Sequence, residues 1–503
     1  MNYYITTPIY YVNDNPHIGH AYTTILADVL SRYHKLFGDE VFFLTGTDEH
    51  GQKVQAAAEK RGMTPKDHVD DFVVKWKQIW DELNIRPDFF IRTTMDFHQE
   101  YVQNYLQELF DKGEIYQDEY TGWYSESEEI FYTEKDLIDG KSPEGKEVQK
   151  IVEKNYFFKM SKYKDKLIKH VEDNPEFIQP AGKRSEVLGF LKQDLNDLCI
   201  SRPKSRLAWG IELPFDEDYV TYVWFDALIN YISGIKNTLK NEDKFNLYWE
   251  NCTHLIGKDI LMTHAIYWST MLMAMDIPLP KTIFAHGWWL NEEESKMSKS
   301  EGQVVSPLEV RDLVGNHGLR YFLTRDVHLG NDAKFSSELV KSRVNTELAN
   351  KLGNLFSRIT NLSEKYFDSK VPSNNLENPE SLKIVELAEK TPSLVKEKII
   401  NLEPNLALGH IVDLLDATNK YIDTIAPWKS IKDDPKNAEE SIYAALEVLR
   451  IAGILLHPVM PDKMDELLKN LSYSDISFEN TSWGKLLTGT SITKGETLFP
   501  RIK

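Results

Sequence analysis

The hydrophobic pattern of the chain changes character three times. Tyr3 to Thr6 reads as a short strand starting almost at the first residue. From Ala21 to Phe37 the apolar positions Ile25, Leu26, Val29, Leu30, Tyr33, Leu36 and Phe37 recur at helical spacing. Val41 to Thr45 predicts a second strand, Gln52 to Lys60 and Pro65 to Leu83 two helices, and Asp88 to Thr93 a third strand. From Glu114 to about Tyr219 the residues Tyr116, Tyr120, Trp123, Tyr124, Phe131 and Tyr132 alternate with polar ones, as short strands do, and a Gly/Pro/Lys-rich turn follows at Asp139 to Lys146. The α/β pattern then resumes. Trp224, Ala227, Leu228 and Tyr231 fall on one helical face, and the strand His254 to Gly257 meets a helix opened by Lys258-Asp259-Ile260. From about Ser336 onward the chain reads as helices, with one polar loop from Asp368 to Glu380 and no internal repeat.

This punctuation predicts an α/β protein with a parallel sheet interrupted by an insertion and followed by a helical bundle. The expected boundaries are 1–114 for the first α/β half, 115–219 for the insertion and 220–280 for the second half. A linking region, 281–335, and a helical region, 336–503, complete the chain. Its 503 residues exceed one ordinary core, and 41% hydrophobic with 27% charged residues is a soluble globular composition. No apolar run reaches the roughly 18 residues of a membrane span, and the early first strand leaves no room for a signal peptide. The net charge of −19 excludes a protein basic all over, yet leaves a local phosphate-binding face open. With Cys199 and Cys252 the only cysteines, a disulfide framework and a Cys₄ zinc site are both excluded. A reducing, cytoplasmic setting is expected.

Two polar stretches carry candidate chemistry. In Thr7 to His20 a turn closed by Pro16 sets His17, Gly19 and His20 at a helix N-terminus, where N–H groups and the helix dipole favour an anion. Far downstream, Glu294-Ser295-Lys296-Met297-Ser298-Lys299-Ser300-Glu301-Gly302 follows the strand-like Thr282 to His286. Taken singly, each reads better as an ordinary turn or a solvated loop. Asp48 ends a strand, where a substrate ammonium would be met, and serves equally well as an N-cap for Gln52 to Lys60. Asp259 suits an N-cap or a ribose hydroxyl. His264, four residues after Ile260, fits a satisfied core histidine or a ligand group. Trp428, following Pro427, is either a buried tryptophan or a stacking platform for an unpaired base. Lys341, Arg343, Lys351, Arg358 and Lys365 give the first helix of the last third a basic excess, with Lys351, Asn354 and Arg358 on one face.

Together, in this order and flanking two α/β halves, the stretches around His17 and Lys296 resemble the two signatures of class I aminoacyl-tRNA synthetases. The likeness covers nearly the whole chain and is to the methionine-specific members. It implies a Rossmann-like catalytic domain with a connective insertion and an α-helical anticodon-binding domain. It implies adenylation of methionine by ATP with Mg²⁺, then transfer to the 3′ end of tRNA(Met) with release of AMP and pyrophosphate, in a cytoplasmic monomer without a membrane partner. His17, His20, Lys296 and Lys299 are the implied catalytic residues. His17, Gly19, His20, Gly257, Asp259, His286, Gly287 and Lys299 would bind ATP. The amino-acid pocket maps onto Ile9, Tyr11, Asp48, Trp224, Ala227, Leu228, Tyr231, Ile260 and His264, and the anticodon readers onto Asn354, Arg358, Pro427 and Trp428. The Asp197 to Arg202 stretch also matches, which makes Arg202 an expected active-site charge.

Two departures matter. Ser125 and Ser127 stand where zinc-bearing relatives have a cysteine pair, so no structural zinc and no other metal site is expected. Leu228 replaces a proline found in some relatives. A cysteine-specific enzyme would need cysteine ligands that this chain lacks, and the leucine, isoleucine and valine enzymes carry a larger insertion than 115–219.

Overall fold

Six strands, each parallel to its neighbours, build the sheet that the α/β alternation predicts. In chain order they are β1 (Asn2–Tyr11), β2 (Glu40–Asp48), β3 (Phe89–Arg92), β4 (Ile178–Gln179), β5 (Cys252–Gly257) and β6 (Thr282–His286). They lie in the order β3-β2-β1-β5-β6-β4. The computed structural model describes residues 1–13, 15–125, 130–132, 134–290 and 305–503, with only the backbone of Tyr120, Thr121, Ile130 and Phe131.

Strand alternation sends neighbouring residues of β1 into two different cores. Tyr3 and Ile5 pack with Ile25, Leu26 and Val29 of helix α1 (Ile18–Leu36). Tyr4 packs on the other side with Phe42, Leu44 and with Phe225, Ile229 and Ile232, after helix α2 (Asp96–Asp111), from helix α3 (Val223–Leu239). The core under α1 continues without a break into the helical region, where α4 (Asn354–Tyr366), α5 (Pro379–Ile400), α6 (Pro404–Ile425) and α7 (Pro435–Leu456) pack on one another. Polar bonds lock this junction. Tyr33 donates its hydroxyl to the Leu455 carbonyl at 2.8 Å, and buried Arg320 reaches Asp28 of α1 at 2.6 Å and the Val459 carbonyl at 2.8 Å. The helical region is therefore seated on the sheet's helical layer.

The expected boundaries need two corrections. Thr282–His286, placed in the linking region, is a fully buried strand of the main sheet, between β5 and β4. Ile178–Gln179, placed in the insertion, is that sheet's edge strand, too short at two residues to leave a periodic signal. Within the insertion the expected short strands are largely one long antiparallel pair, Ile115–Ser125 against Gln149–Phe158. The segment after β5 also departs from an α-helix. A 3₁₀ turn at Lys258–Ile260 is followed by a π-helix at Thr263–Trp268, and a second π stretch, Val344–Gly353, precedes α4. Wide turns of this kind re-aim the side chains that follow them.

Candidate active site and helical face

β1 and β5 part at the carboxyl edge of the sheet. They pair at Tyr4, Ile5 and Thr6 only. The register of β1 then shifts before Ile9, around Pro8, which has no N–H to give the ladder, and the strand stays with β2 as far as Tyr11 opposite Asp48. In open parallel sheets, ligands collect at the carboxyl ends of strands beside such a switch in strand order. Here those ends carry Ile9 and Tyr11 on β1, Asp48 on β2, Gly257 on β5 and His286 on β6.

His17 is the N-cap of α1, and the cap is built from imidazoles. Nδ1 of His17 accepts the Gly19 N–H at 3.1 Å, and Nδ1 of His20 accepts the His17 N–H at 3.3 Å, with the rings stacked 3.7 Å apart. Both Nδ1 atoms act as acceptors, so the ring proton of each neutral histidine sits on Nε2. A Cβ on Gly19 would come within 2.9 Å of the His17 ring, so the close turn needs glycine. His286 is buried and donates from Nδ1 to the Gly287 carbonyl at 2.7 Å, leaving Nε2 to accept the Thr23 hydroxyl at 2.7 Å. Gly287 has a packing reason of its own, since a Cβ there would lie 2.1 Å from the Asn331 carbonyl oxygen. Asp259 is no N-cap. Its carboxylate accepts the Trp288 indole N–H at 3.2 Å.

Tyr231, Ile260 and His264 form one hydrogen-bonded group. His264 Nδ1 donates to the Ile260 carbonyl at 2.9 Å, so Nε2 accepts the Tyr231 hydroxyl at 2.8 Å. Burial pulls the His264 imidazole down to about 4, so it is neutral at pH 7. Both its nitrogens are bonded, as the core-histidine reading requires. Behind it, His254 donates to Thr6 at 2.7 Å, accepts the Trp268 N–H at 3.1 Å and lies 4.3 Å from the Tyr231 ring. Ala227 and Leu228 are buried on α3, with Trp224 half-buried at its start. The N-cap reading of Asp48 is overturned, because Gly51 occupies that position and Asp48 is the buried last residue of β2. Arg202 is buried and stacks on the Tyr222 ring, 4.6 Å from its centroid.

Sequence reasoning missed a buried polar network beside Asp48. Glu49 pairs with Arg92, and Asp226 sits between His50 and His98. A lone carboxylate in the apolar run Val223-Trp224-Phe225-Asp226-Ala227-Leu228 was the available signal. Lys296, Lys299 and Ser127 lie outside the described residues. Among the described residues, no group of three or more His, Cys, Asp or Glu is arranged to hold a metal ion, and no helix is long and apolar enough to cross a membrane.

On the helical region, Arg358 and Trp428 meet although seventy residues separate them in sequence. The guanidinium carbon lies 4.2 Å from the Trp428 ring centroid, and Nη2 reaches Asp423 at 2.6 Å. Trp428 is 36% exposed, which overturns the buried-core reading. Pro427 is buried at the first position of a short helix, and Asn354 is exposed one turn before Arg358. The expected basic excess is mostly paired. Arg343 meets Asp326 and Glu347, and Lys351 meets Asp416 at 2.5 Å.

A family profile described as tRNA synthetases class I (M) matches residues 3–151 and 135–360, and one described as the anticodon binding domain of methionyl tRNA ligase matches 378–503. The chain is 45% identical over 505 residues to a methionine–tRNA ligase of Caldanaerobacter subterraneus subsp. tengcongensis, covering 99% of this chain and 79% of that one. Identity to the Bacillus subtilis enzyme of the same name is 42%, covering 100% and 78%. A solved structure of Mycobacterium tuberculosis methionyl-tRNA synthetase bound by methionyl-adenylate superposes with a TM-score of 0.94 at 37% identity, covering 99% of this chain and 100% of that one. The apo form of that protein gives 0.86 at 36% identity, covering 100% and 98%.

Proposed function

The chain belongs to the methionine–tRNA ligases of class I, and from that premise we propose how its residues divide the work. The family's reaction is methionine activation with ATP followed by transfer of the methionyl group to tRNA. In the first step a carboxylate oxygen of methionine attacks the α-phosphorus of ATP, and the bond to the leaving pyrophosphate breaks. In the second, a terminal ribose hydroxyl of tRNA(Met) attacks the methionyl carbonyl carbon, loses its proton, and AMP leaves.

Asp48 holds the α-ammonium and leaves the carboxylate to react. The thioether lies among Ile9, Tyr11, Trp224, Ala227, Leu228, Tyr231, Ile260 and His264. A neutral His264 suits that assignment, because a polarisable sulfur is best housed by uncharged aromatic walls. His17 and His20 donate from Nε2 to phosphate oxygens as charge develops, and Lys296 and Lys299 hold the departing pyrophosphate. Gly19, Gly257, Asp259, His286 and Gly287 line the nucleotide. Mg²⁺ enters on the ATP phosphates as part of the substrate; the described residues offer it no cage of their own. Asn354, Arg358, Pro427 and Trp428 meet the anticodon, the ring stacking on a base and Arg358 bonding a base edge.

The single observation that carries the reading is the convergence of Ile9, Tyr11, Asp48, Gly257 and His286 on adjacent strand ends beside the His17 cap. We extend it to a zinc-independent, cytoplasmic monomer, and the two buried free thiols fit the reducing setting this requires. ATP–pyrophosphate exchange across the twenty amino acids is the test. Methionine alone should support it, and better exchange with any other amino acid would overturn the pocket assignment.

A further inference from the structure

We infer that Glu49 and Asp226 are positioning residues for the Asp48 carboxylate. The inference rests on the reading of Asp48 as the partner of the methionine ammonium. Both groups act on the residues that leave β2 just after it.

Glu49 is fully buried and its side chain is saturated. Arg92 donates to it in a fork, Nε to Oε1 at 2.7 Å and Nη2 to Oε2 at 2.9 Å. The Thr47 and Thr94 hydroxyls donate to the same two oxygens at 2.7 and 2.5 Å. The Glu49 main chain is held too, its N–H by Thr93 at 3.0 Å and its carbonyl by the Trp209 indole at 2.6 Å. The next residue, His50, gives Nδ1–H to Asp226 at 2.7 Å. The other Asp226 oxygen takes His98 Nε2 at 2.8 Å, and His98 Nδ1 lies 2.7 Å from the Ser233 hydroxyl.

The end of β2 is thereby fixed to β3 through Arg92, to α2 through His98, and to α3 through Asp226 and Ser233. That last helix also carries Trp224, Ala227, Leu228 and Tyr231, so one network sets the distance between Asp48 and the pocket wall. Two buried charged clusters are a costly way to gain stability, because apolar residues of like volume stabilise a core as well or better. Their use here is geometric. A carboxylate that is to meet an ammonium has to be held within about half an ångström, and a strand end without such ties swings.

The test compares binding of L-methionine with that of 4-(methylthio)butanoate, which keeps the thioether and carboxylate and lacks the ammonium. The ratio of the two affinities reads the contacts made to the ammonium, and Asp48→Asn sets the share that belongs to Asp48. In Asp48→Asn that ratio should collapse. In Glu49→Gln and in Asp226→Asn it should fall by about tenfold, the worth of one charge-assisted hydrogen bond, while analogue affinity stays within about threefold. In exchange assays the KM for methionine should rise and the KM for ATP hold. Thr94→Val, which deletes one bond to Glu49, should give a smaller loss of the same sign and covers the case of a variant that does not fold. A wild-type ratio in all three variants, or equal losses for both ligands, overturns the inference. An unchanged ratio in Asp48→Asn overturns it too, by removing the reading it rests on.

Discussion

At the carboxyl edge of the sheet, charged groups are buried and committed to one another, whereas on the helical face the Arg358 pair is open to water on its carboxylate side. Glu49 takes Arg92, Thr47 and Thr94 with no exposure at all, and Asp226 is held between two imidazoles. Burial alone would push the Asp226 carboxyl up; the imidazoles of His50 and His98 override it and hold the group below the usual carboxylate range. Arg358 and Asp423, by contrast, form a pair whose carboxylate is mostly exposed, and such pairs are worth about 0–1 kcal/mol. The first region is rigidly tied together, which on the proposed assignment sets the Asp48 carboxylate before any ligand arrives. The second keeps an aromatic ring and a guanidinium stacked but weakly engaged, which on the proposed assignment lets an incoming base replace the carboxylate at little cost.

The largest break in that contrast should come from Arg92→Ala. It strands a fully buried carboxylate and should cost about 3–5 kcal/mol in denaturant unfolding. Arg358→Ala, breaking a pair whose carboxylate is mostly exposed, should cost less than about 1 kcal/mol in the same measurement. Comparable losses would erase the distinction between the regions.

Lys299→Ala should slow adenylate formation by about 10²–10³, the usual effect of one lost donor to developing charge, with methionine affinity retained. Rapid-quench measurement of the single-turnover rate checks this. A pure affinity defect would return Lys299 to a surface role.

On the other side of the comparison, Trp428→Ala should reduce tRNA charging about ten- to a hundredfold at limiting tRNA, from a stacking contact of roughly 1–3 kcal/mol. Pyrophosphate exchange and the melting temperature should hardly move, since the ring is part-exposed and belongs to the helical region rather than to the strand ends. Parallel losses in exchange and charging would remove the anticodon reading.

A graded effect is expected of pH. Unfolded His264 takes a proton near 6.5 and the buried ring only near 4, so between those values the unfolded state binds more protons. Stability contributed by the neutral ring is present above about 6.5 and is lost as pH falls towards 4; His254, also held down by burial, adds to it. Melting curves from pH 7 to 4.5 should show the decline, and His264→Gln should flatten it. The smallest effect should be none. A zinc chelator in excess Mg²⁺ should leave methionine-dependent exchange unchanged, and loss of activity would mean that a metal is bound after all.

Local signals were enough for the parts of the fold that repeat at short range. The apolar period of α1, the stripe of α3 and the paired stretches around His17 and Lys296 were legible because side-chain spacing reports directly which face a segment buries. The spacing led to the parallel sheet and the helical last third, and the resemblance of the two stretches to known signatures led to the family. What the pattern could not carry were partners chosen by packing. β4 is two residues long, and β6, strand-like in its pattern, shows no sign in the sequence that it joins the main sheet rather than the linking region. The π turn at Thr263–Trp268 depends on how the chain leaves β5, not on composition. Arg358 and Trp428 meet because the tertiary packing brings α4 to the short helix Pro427–Ser430, and Glu49 finds Arg92 because β2 and β3 lie in one register. A hydrogen bond between distant residues leaves no period in a sequence, since its partners are fixed by the arrangement of whole elements and by the cost of burying a charge alone.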